Sequence, residues 1–156
     1  MKASYFMLLF ACSLAGRSVS AQEPAVDSLN VANTLKELFT ICRTVDFSDP
    51  KVIELGLFYK AAPYIMYHGT DSSRAWKSCA NYKNVDERKE VDDICLRING
   101  TVNRDRDFRI TRYFTQKEEE GTWYLLLVAY DKKGVTKTAV FAFLKIGDRF
   151  ALGDID

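Results

Sequence analysis

The spacing of apolar residues changes once along this chain, and that change constrains the fold more than any other feature. Before Asp107 the apolar residues recur every three or four positions, as they do on one face of an α-helix. After Asp107 they alternate with a period of two or fill both faces, as they do in β-strands. A helical half followed by a strand half predicts an α+β domain with helices packed on one face of a sheet.

Two of the three predicted helices carry a single apolar stripe. In residues 27–45 the stripe steps by four and three, and Asp27 or Ser28 would cap the helix start. Its members are Val31, Leu35, Leu38, Cys42 and Val45. In residues 84–99, Asn84 and Glu87 are spaced as a capping box. The inner stripe of that helix comprises Val91, Ile94, Cys95 and Ile98.

Residues 50–69 are apolar around most of a helical circumference, which predicts a helix buried on more than one side. Pro63 would kink or end this helix, because proline removes a backbone donor and crowds the preceding turn. Gly69 would then mark its C-terminal stop.

Four strands are predicted in the second half, over residues 107–117, 122–131, 135–146 and 149–156. The turns between them, "EEEG", "KKG" and "GD", are short enough to join neighbouring antiparallel strands. The sequence therefore predicts N-terminal helices on an antiparallel four-stranded meander.

The N-terminal segment has the composition of a secretory signal peptide. Lys2 precedes an apolar run over residues 5–15, and small residues lead up to Ala21. We expect a signal peptide at residues 1–21, one domain at residues 22–156, and a secreted or periplasmic protein. The alternative is lipid attachment at Cys12, where "LFAC" loosely matches a lipoprotein motif. No other apolar run is long enough to span a bilayer.

Charge and cysteine content limit the possible functions. Removing Lys2 and Arg17 with the leader lowers the formal charge from +1 to −1, which predicts no nucleic-acid partner. Cys42, Cys79 and Cys95 then remain, so at most one disulfide forms within the chain. Cys79 and Cys95 flank a charged segment and are the predicted pair. The alternative is that all three are small buried apolar residues.

The helical first half, the two long hydrophobic strands and the closing "FLKIGDRFALGDID" resemble an exported member of the NTF2-like superfamily. The resemblance covers most of residues 28–156. It implies a curved sheet wrapped around helices and a cavity between them. Members of this superfamily include isomerases, dehydratases, ligand binders and assembly subunits, so the fold alone leaves the function open.

Only a few residues are candidates for chemistry. His68 is the single histidine, and it would either interact with carbonyls at a helix end or act as a general base at a cavity rim. Asp154 is the one carboxylate of the last strand that could reach such a rim. Candidate ligand-binding residues are Tyr64, Tyr67, His68, Trp123 and Tyr124. No spacing suggests a metal site or a cofactor motif.

The sequence favours a non-catalytic binding protein for a small apolar ligand. One alternative is an inhibitor, immunity or envelope-assembly protein that acts through a protein interface, with residues 70–83 or an exposed face of the sheet as the candidate surface. The other is a lyase or isomerase that transfers protons through His68 in the cavity.

Overall fold

The computed structural model describes residues 25–43, 57–74, 78–101 and 107–156. Within these ranges the helices are α1 (Ala25–Arg43) and α2 (Val85–Thr101), and the short 3-10 helices Leu57–Lys60 and Ala62–Tyr64 lie between them in sequence. The strands follow as β1 (Phe108–Glu118), β2 (Gly121–Lys132), β3 (Val135–Ile146) and β4 (Arg149–Ile155). They form one antiparallel sheet in the order β1-β2-β3-β4. The predicted α+β class and the four-stranded meander are confirmed.

Helix α1 buries its predicted stripe, while its predicted cap is wrong. Val31, Leu35, Leu38 and Cys42 are fully buried, and Val45 lies outside the described residues. The helix begins at Ala25, so Asp27 and Ser28 lie inside the first turn instead of preceding it.

Asp27 instead connects α1 to the sheet. Its carboxylate accepts hydrogen bonds from the Tyr124 hydroxyl at 3.1 Å and from the Lys145 ammonium at 3.0 Å. These bonds join residues 97 and 118 positions apart in sequence.

Helix α2 begins as predicted at a side-chain cap. The Asn84 side-chain oxygen accepts hydrogen bonds from the N–H groups of Asp86 at 2.9 Å and Glu87 at 3.4 Å. The Glu87 carboxylate does not complete a capping box, because it accepts hydrogen bonds from Arg74 and Asn81. Of the predicted inner stripe, Val91, Cys95 and Ile98 are fully buried, and Ile94 is partly buried.

Of the helix predicted over residues 50–69, the structure shows two short 3-10 helices from residue 57 that end just after Pro63, and the prediction is wrong from Ile65 onward. After the second 3-10 helix, which contains Pro63, the chain is extended. Ile65 forms a parallel bridge with Leu152 of β4, and Met66 forms an antiparallel bridge with Cys79. Gly69 therefore follows an extended segment and stops no helix. A run that is apolar on every side suits a buried extended segment as well as a buried helix, and periodicity does not distinguish the two.

The larger core lies between the helices and one face of the sheet. Phe39 of α1 makes edge-on contacts with Phe108 and Phe141, with ring centroids 4.5 and 5.2 Å apart. A smaller cluster lies beside it and comprises Met66, Leu144 and Ala151, with Cys79, Trp123 and Ile146 packed against it. Trp123 and Leu144 alternate in β2 and β3 with Tyr124 and Phe143 of the larger core, so this cluster occupies the opposite sheet face.

Candidate functional site

A cleft of about 800 Å³ opens between α1, the 3-10 segment and the turn between β3 and β4. We call it the α1 cleft. Four α1 residues form one wall, namely Asn30, Thr34, Glu37 and Ile41. Their spacing of four, three and four places them on one helix face beside the buried stripe. The segment with the two 3-10 helices contributes Tyr59, Lys60, Pro63 and Tyr64. Asp148 comes from the β3–β4 turn, and Arg149 and Phe150 come from the start of β4.

Tyr64 and Glu37 both line the cleft and interact with each other. The Tyr64 hydroxyl is hydrogen-bonded to the Glu37 carboxylate, and this bond, with burial and the negative charge, raises the pKa of Tyr64. The positive charge of Arg149 opposes that shift. Tyr64 is thus a neutral donor across the physiological pH range, and the pair is suited to positioning a ligand.

The cleft also presents an exposed aromatic ring and unburied charges. Tyr59 is 57% exposed, and the Lys60 ammonium lies 5.9 Å from its ring centroid. The Arg149 guanidinium lies 3.9 Å from the Asp148 carboxylate, and both side chains are mostly exposed. Such a pair is weak, so both groups can exchange partners with a ligand at little cost.

Tyr64 is the only one of the five predicted ligand-binding residues that lines this cleft. Tyr67 is buried, its ring lies 4.2 Å from the Arg74 guanidinium, and its hydroxyl accepts a hydrogen bond from the N–H of Asp71 at 3.1 Å. His68 is exposed and follows an extended segment, so the predicted interaction with a helix C-terminus is wrong.

The two predicted residues of β2 lie on opposite faces of the sheet. Tyr124 is buried in the larger core with its ring edge-on to Phe150 at 4.9 Å, and its hydroxyl donates to Asp27. Trp123 belongs to the smaller cluster on the other face. The five predicted residues therefore do not converge on one site.

Asp154 is exposed and does not line the α1 cleft. Its carboxylate accepts a hydrogen bond of 2.8 Å from the N–H of the next residue, Ile155. This local bond engages the carboxylate within its own exposed strand end.

The predicted pairing of Cys79 with Cys95 is wrong. No bond joins Cys79 to Cys95 in the structure, and the Cys95 sulfur lies 2.6 Å from the Cys42 sulfur instead. The inner stripes of α1 and α2 face each other and bring these two side chains together. Cys79 pairs with Met66 at the sheet edge, in the smaller cluster on the other face.

The structure reveals a buried charge cluster at the start of α2 that the sequence did not predict. Two guanidinium nitrogens of Arg74 each donate a hydrogen bond of 2.8 Å to Glu87, and the N–H of Asn81 adds a third at 2.7 Å. The hydrogen bond from Arg74 is the largest cause that lowers the pKa of Glu87. One turn further on, the Tyr82 hydroxyl donates to buried Asp92 at 2.7 Å. These contacts fix the chain before α2 onto the helix.

A second, smaller cleft of about 430 Å³ lies at the C-terminal end of α1. Lys36, Arg43 and Arg109 give it a positive character, with Asp107 as the opposing charge. It shares no lining residue with the α1 cleft.

Comparison with known proteins finds no matching family model, no matching curated protein and no matching solved structure. Across the described ranges, no three His, Cys, Asp or Glu side chains are arranged to hold a metal ion. Within the same ranges, neither helix has the length and apolar character needed to cross a membrane.

Proposed function

We propose that the protein is an exported, non-catalytic binding protein with an NTF2-like fold, and that a small, mainly apolar ligand binds in the α1 cleft. The carrying observation is the exposed ring of Tyr59 beside the Tyr64–Glu37 pair in a cleft of about 800 Å³. Ligand sites commonly combine apolar and aromatic walls with a few polar groups that orient the ligand.

The fold supports the superfamily assignment at the level of its architecture. Helices lie on one face of an antiparallel sheet, and the helical half precedes the strands as the resemblance implies. The export assignment depends on the composition of residues 1–21 and on cleavage after Ala21, with lipid attachment at Cys12 as the alternative. Residues 1–24 lie outside the described residues.

The packing of the core directs a ligand to the open cleft instead of an enclosed cavity. Four phenylalanines occupy the space between the helices and the sheet, and each is at most 1% exposed. They are Phe39, Phe58, Phe141 and Phe143. The α1 cleft is adjacent to this core through Phe150, which lines the cleft while being 3% exposed.

The polarity of the cleft suggests a ligand with a flat apolar body and one hydrogen-bond-accepting end. Glu37 is already engaged by Tyr64, whereas the Lys60 ammonium lies 5.9 Å from the Tyr59 ring and Arg149 forms a weak, exposed ion pair with Asp148. An acceptor group on the ligand would therefore find its partner in Lys60 or Arg149, while the body packs on Tyr59.

Thermal unfolding with a library of apolar small molecules, with and without a carboxylate, tests this function. At least one compound should raise the melting temperature, because a ligand that binds only the folded state stabilises it. In Tyr59→Ala the affinity for that compound should fall roughly tenfold, the loss expected for one aromatic contact.

Val135→Ala is a matched control, because Val135 is 54% exposed and lies at the opposite end of β3 from the cleft. This variant should retain the affinity. A library in which no compound stabilises the protein, or equal losses in both variants, would contradict binding in the α1 cleft.

The protein-interface alternative is favoured by one observation, the anchoring of the residues before α2. Arg74 lies between the Tyr67 ring and Glu87, and it holds exposed residues 70–73 in a defined position. A photo-crosslinker at Ser72 should then capture one stoichiometric partner from the native compartment, while the same group at Lys133 on the β2–β3 turn should not.

Proton transfer through His68 has less support from the geometry. His68 is exposed and lines neither the α1 cleft nor the smaller cleft. The His68→Ala variant should therefore bind the stabilising compound as the parent does, and a lost lyase or isomerase activity in that variant would contradict this conclusion.

A further inference from the structure

The contact between α1 and α2 contains two cysteines whose sulfur atoms face each other. Cys42 and Cys95 are both fully buried, and their Sγ atoms lie 2.6 Å apart. We propose that Cys42 and Cys95 form a disulfide that joins α1 to α2 and leaves Cys79 as a free thiol.

The geometry favours this pair over the other combinations. A disulfide bond is about 2.05 Å long, so the two sulfurs need to approach by only about half an ångström. The helices that bear them already pack against each other in the larger core. Cys79 lies on the other side of the sheet, where it pairs with Met66 and packs beside Trp123. Joining Cys79 to either buried cysteine would require the sheet edge to come apart.

The bond forms by thiol–disulfide exchange with a small disulfide such as oxidised glutathione. One cysteine thiolate attacks the small disulfide, which forms a mixed disulfide and releases one small thiol. The second cysteine thiolate attacks the mixed disulfide, which forms the Cys42–Cys95 bond and releases the second small thiol. The two cysteines lose two electrons and two protons, and the small disulfide gains both.

The timing of this reaction follows from burial. Exchange requires a thiolate that an oxidant can reach. In the folded domain both sulfurs are inaccessible, and the hydrogen bond to Cys42 together with burial raises the pKa of the Cys95 thiol. The exchange therefore takes place while the chain folds, before α1 and α2 close over the pair. The Cys42–Cys95 bond would form whether or not the α1 cleft binds a ligand.

Peptide mapping of the full chain tests the pairing directly. The reduced, denatured chain is refolded in a buffer of reduced and oxidised glutathione, denatured again with iodoacetamide, and digested with trypsin without reduction. The four cysteines fall on four different tryptic peptides, residues 3–17, 37–43, 78–83 and 90–97. We expect a linked species that joins 37–43 to 90–97, with peptide 78–83 recovered alkylated. A fully alkylated digest, or a link from 78–83 to 90–97, would overturn the proposal.

A second measurement does not depend on mapping. The bond would close a loop between residues 53 positions apart, which restricts the unfolded chain. Parent protein folded and heated in dithiothreitol should have a melting temperature about 10 °C lower than the oxidised parent protein. Cys79→Ser should show the same fall, whereas Cys42→Ala and Cys95→Ala should show none. A parent protein whose melting temperature is equal with and without dithiothreitol would also overturn it.

Discussion

Arg74 and Glu87 face each other through two parallel hydrogen bonds, each 2.8 Å long. Glu87 is only 5% exposed, and the Arg74 guanidinium also lies 4.2 Å from the ring centroid of Tyr67. The ion pair thus lies between the chain before α2 and the helix itself. This contact fixes Arg74, and the chain that leads to it from Tyr67, against the start of α2.

Arg74→Ala should lower the melting temperature by about 5 °C, because it leaves a carboxylate buried without its charged partner. Differential scanning fluorimetry measures the change. Arg149→Ala is the control, since Arg149 makes an exposed pair with Asp148, and it should shift the melting temperature by less than about 1 °C. Equal shifts in the two variants would show that the Arg74–Glu87 contact has no special role.

The same pair predicts a pH dependence with a definite sign. Arg74 lowers the pKa of Glu87 in the folded state, so the stabilisation is present above the ordinary pKa of glutamate and is lost as pH falls through the lowered value. In Arg74→Ala that pKa rises, because the two hydrogen bonds and the positive charge of Arg74 are gone while only the bond from the Asn81 N–H remains. The acid side of the unfolding profile should therefore move to higher pH in this variant.

Asp92→Asn should be as stable as the parent or more stable at pH 7. Asp92 is 8% exposed, and burial raises the pKa of its carboxyl group. A raised pKa means that ionisation costs stability as pH rises through that value. Asparagine removes this cost while its side-chain oxygen still accepts the hydrogen bond from Tyr82. Urea unfolding should show the advantage at pH 7 and its disappearance at acidic pH, and a less stable variant at pH 7 would contradict the prediction.

Gly153→Ala should destabilise the protein by about 1–3 kcal/mol through overpacking. A Cβ at this position would lie 2.7 Å from two carbons of the Trp123 ring and 2.9 Å from the Met66 Cε. Gly100→Ala is the matched control, because a Cβ there meets nothing within 4 Å, and alanine favours the helix. Urea unfolding should show opposite signs for the two variants, and Trp123→Leu should relieve part of the cost at Gly153.

Cys79 should react slowly with iodoacetamide in the folded protein. The thiol is half-buried, and that burial raises its pKa. Alkylation at pH 8 should be at least roughly tenfold slower than in denaturant, since the thiolate is the reactive form. Mass spectrometry of peptide 78–83 over time measures both rates. Equal rates would mean that the smaller cluster does not enclose this side chain.

The sequence correctly predicted the helices and strands whose apolar residues follow a single clear period. The stripe of α1 and the two-faced strands β2 and β3 are repeated over many residues, and tight turns join the strands without ambiguity. The helix predicted over residues 50–69 was wrong from Ile65 onward, because its apolar residues leave no polar face that would define a period. Ile65 and Met66 are buried on opposite faces of the sheet edge, which a continuous apolar run cannot reveal.

The candidate site was less predictable than the fold, because it depends on contacts between distant residues. Tyr64 was a candidate, but its partner Glu37 lies in α1 and had no local signal. Aspartate commonly caps a helix, but Asp27 instead binds Tyr124 and Lys145 of the sheet. Likewise, the neighbour of Cys95 follows from how two helices pack, and neither stripe alone specifies it.

The bridge between Ile65 and Leu152 also affects whether a second copy of the protein can add a strand to the sheet. The Met66 N–H donates to the Leu152 carbonyl at 2.8 Å, which blocks part of the open edge of β4. The other edge, β1, carries Arg109, Arg112 and Lys117 and is irregular between residues 110 and 112. Charges and irregular pairing at an edge discourage strand addition by a second chain. The covered edge of β4 and the charged, irregular edge of β1 therefore disfavour edge-to-edge aggregation of this domain at high concentration.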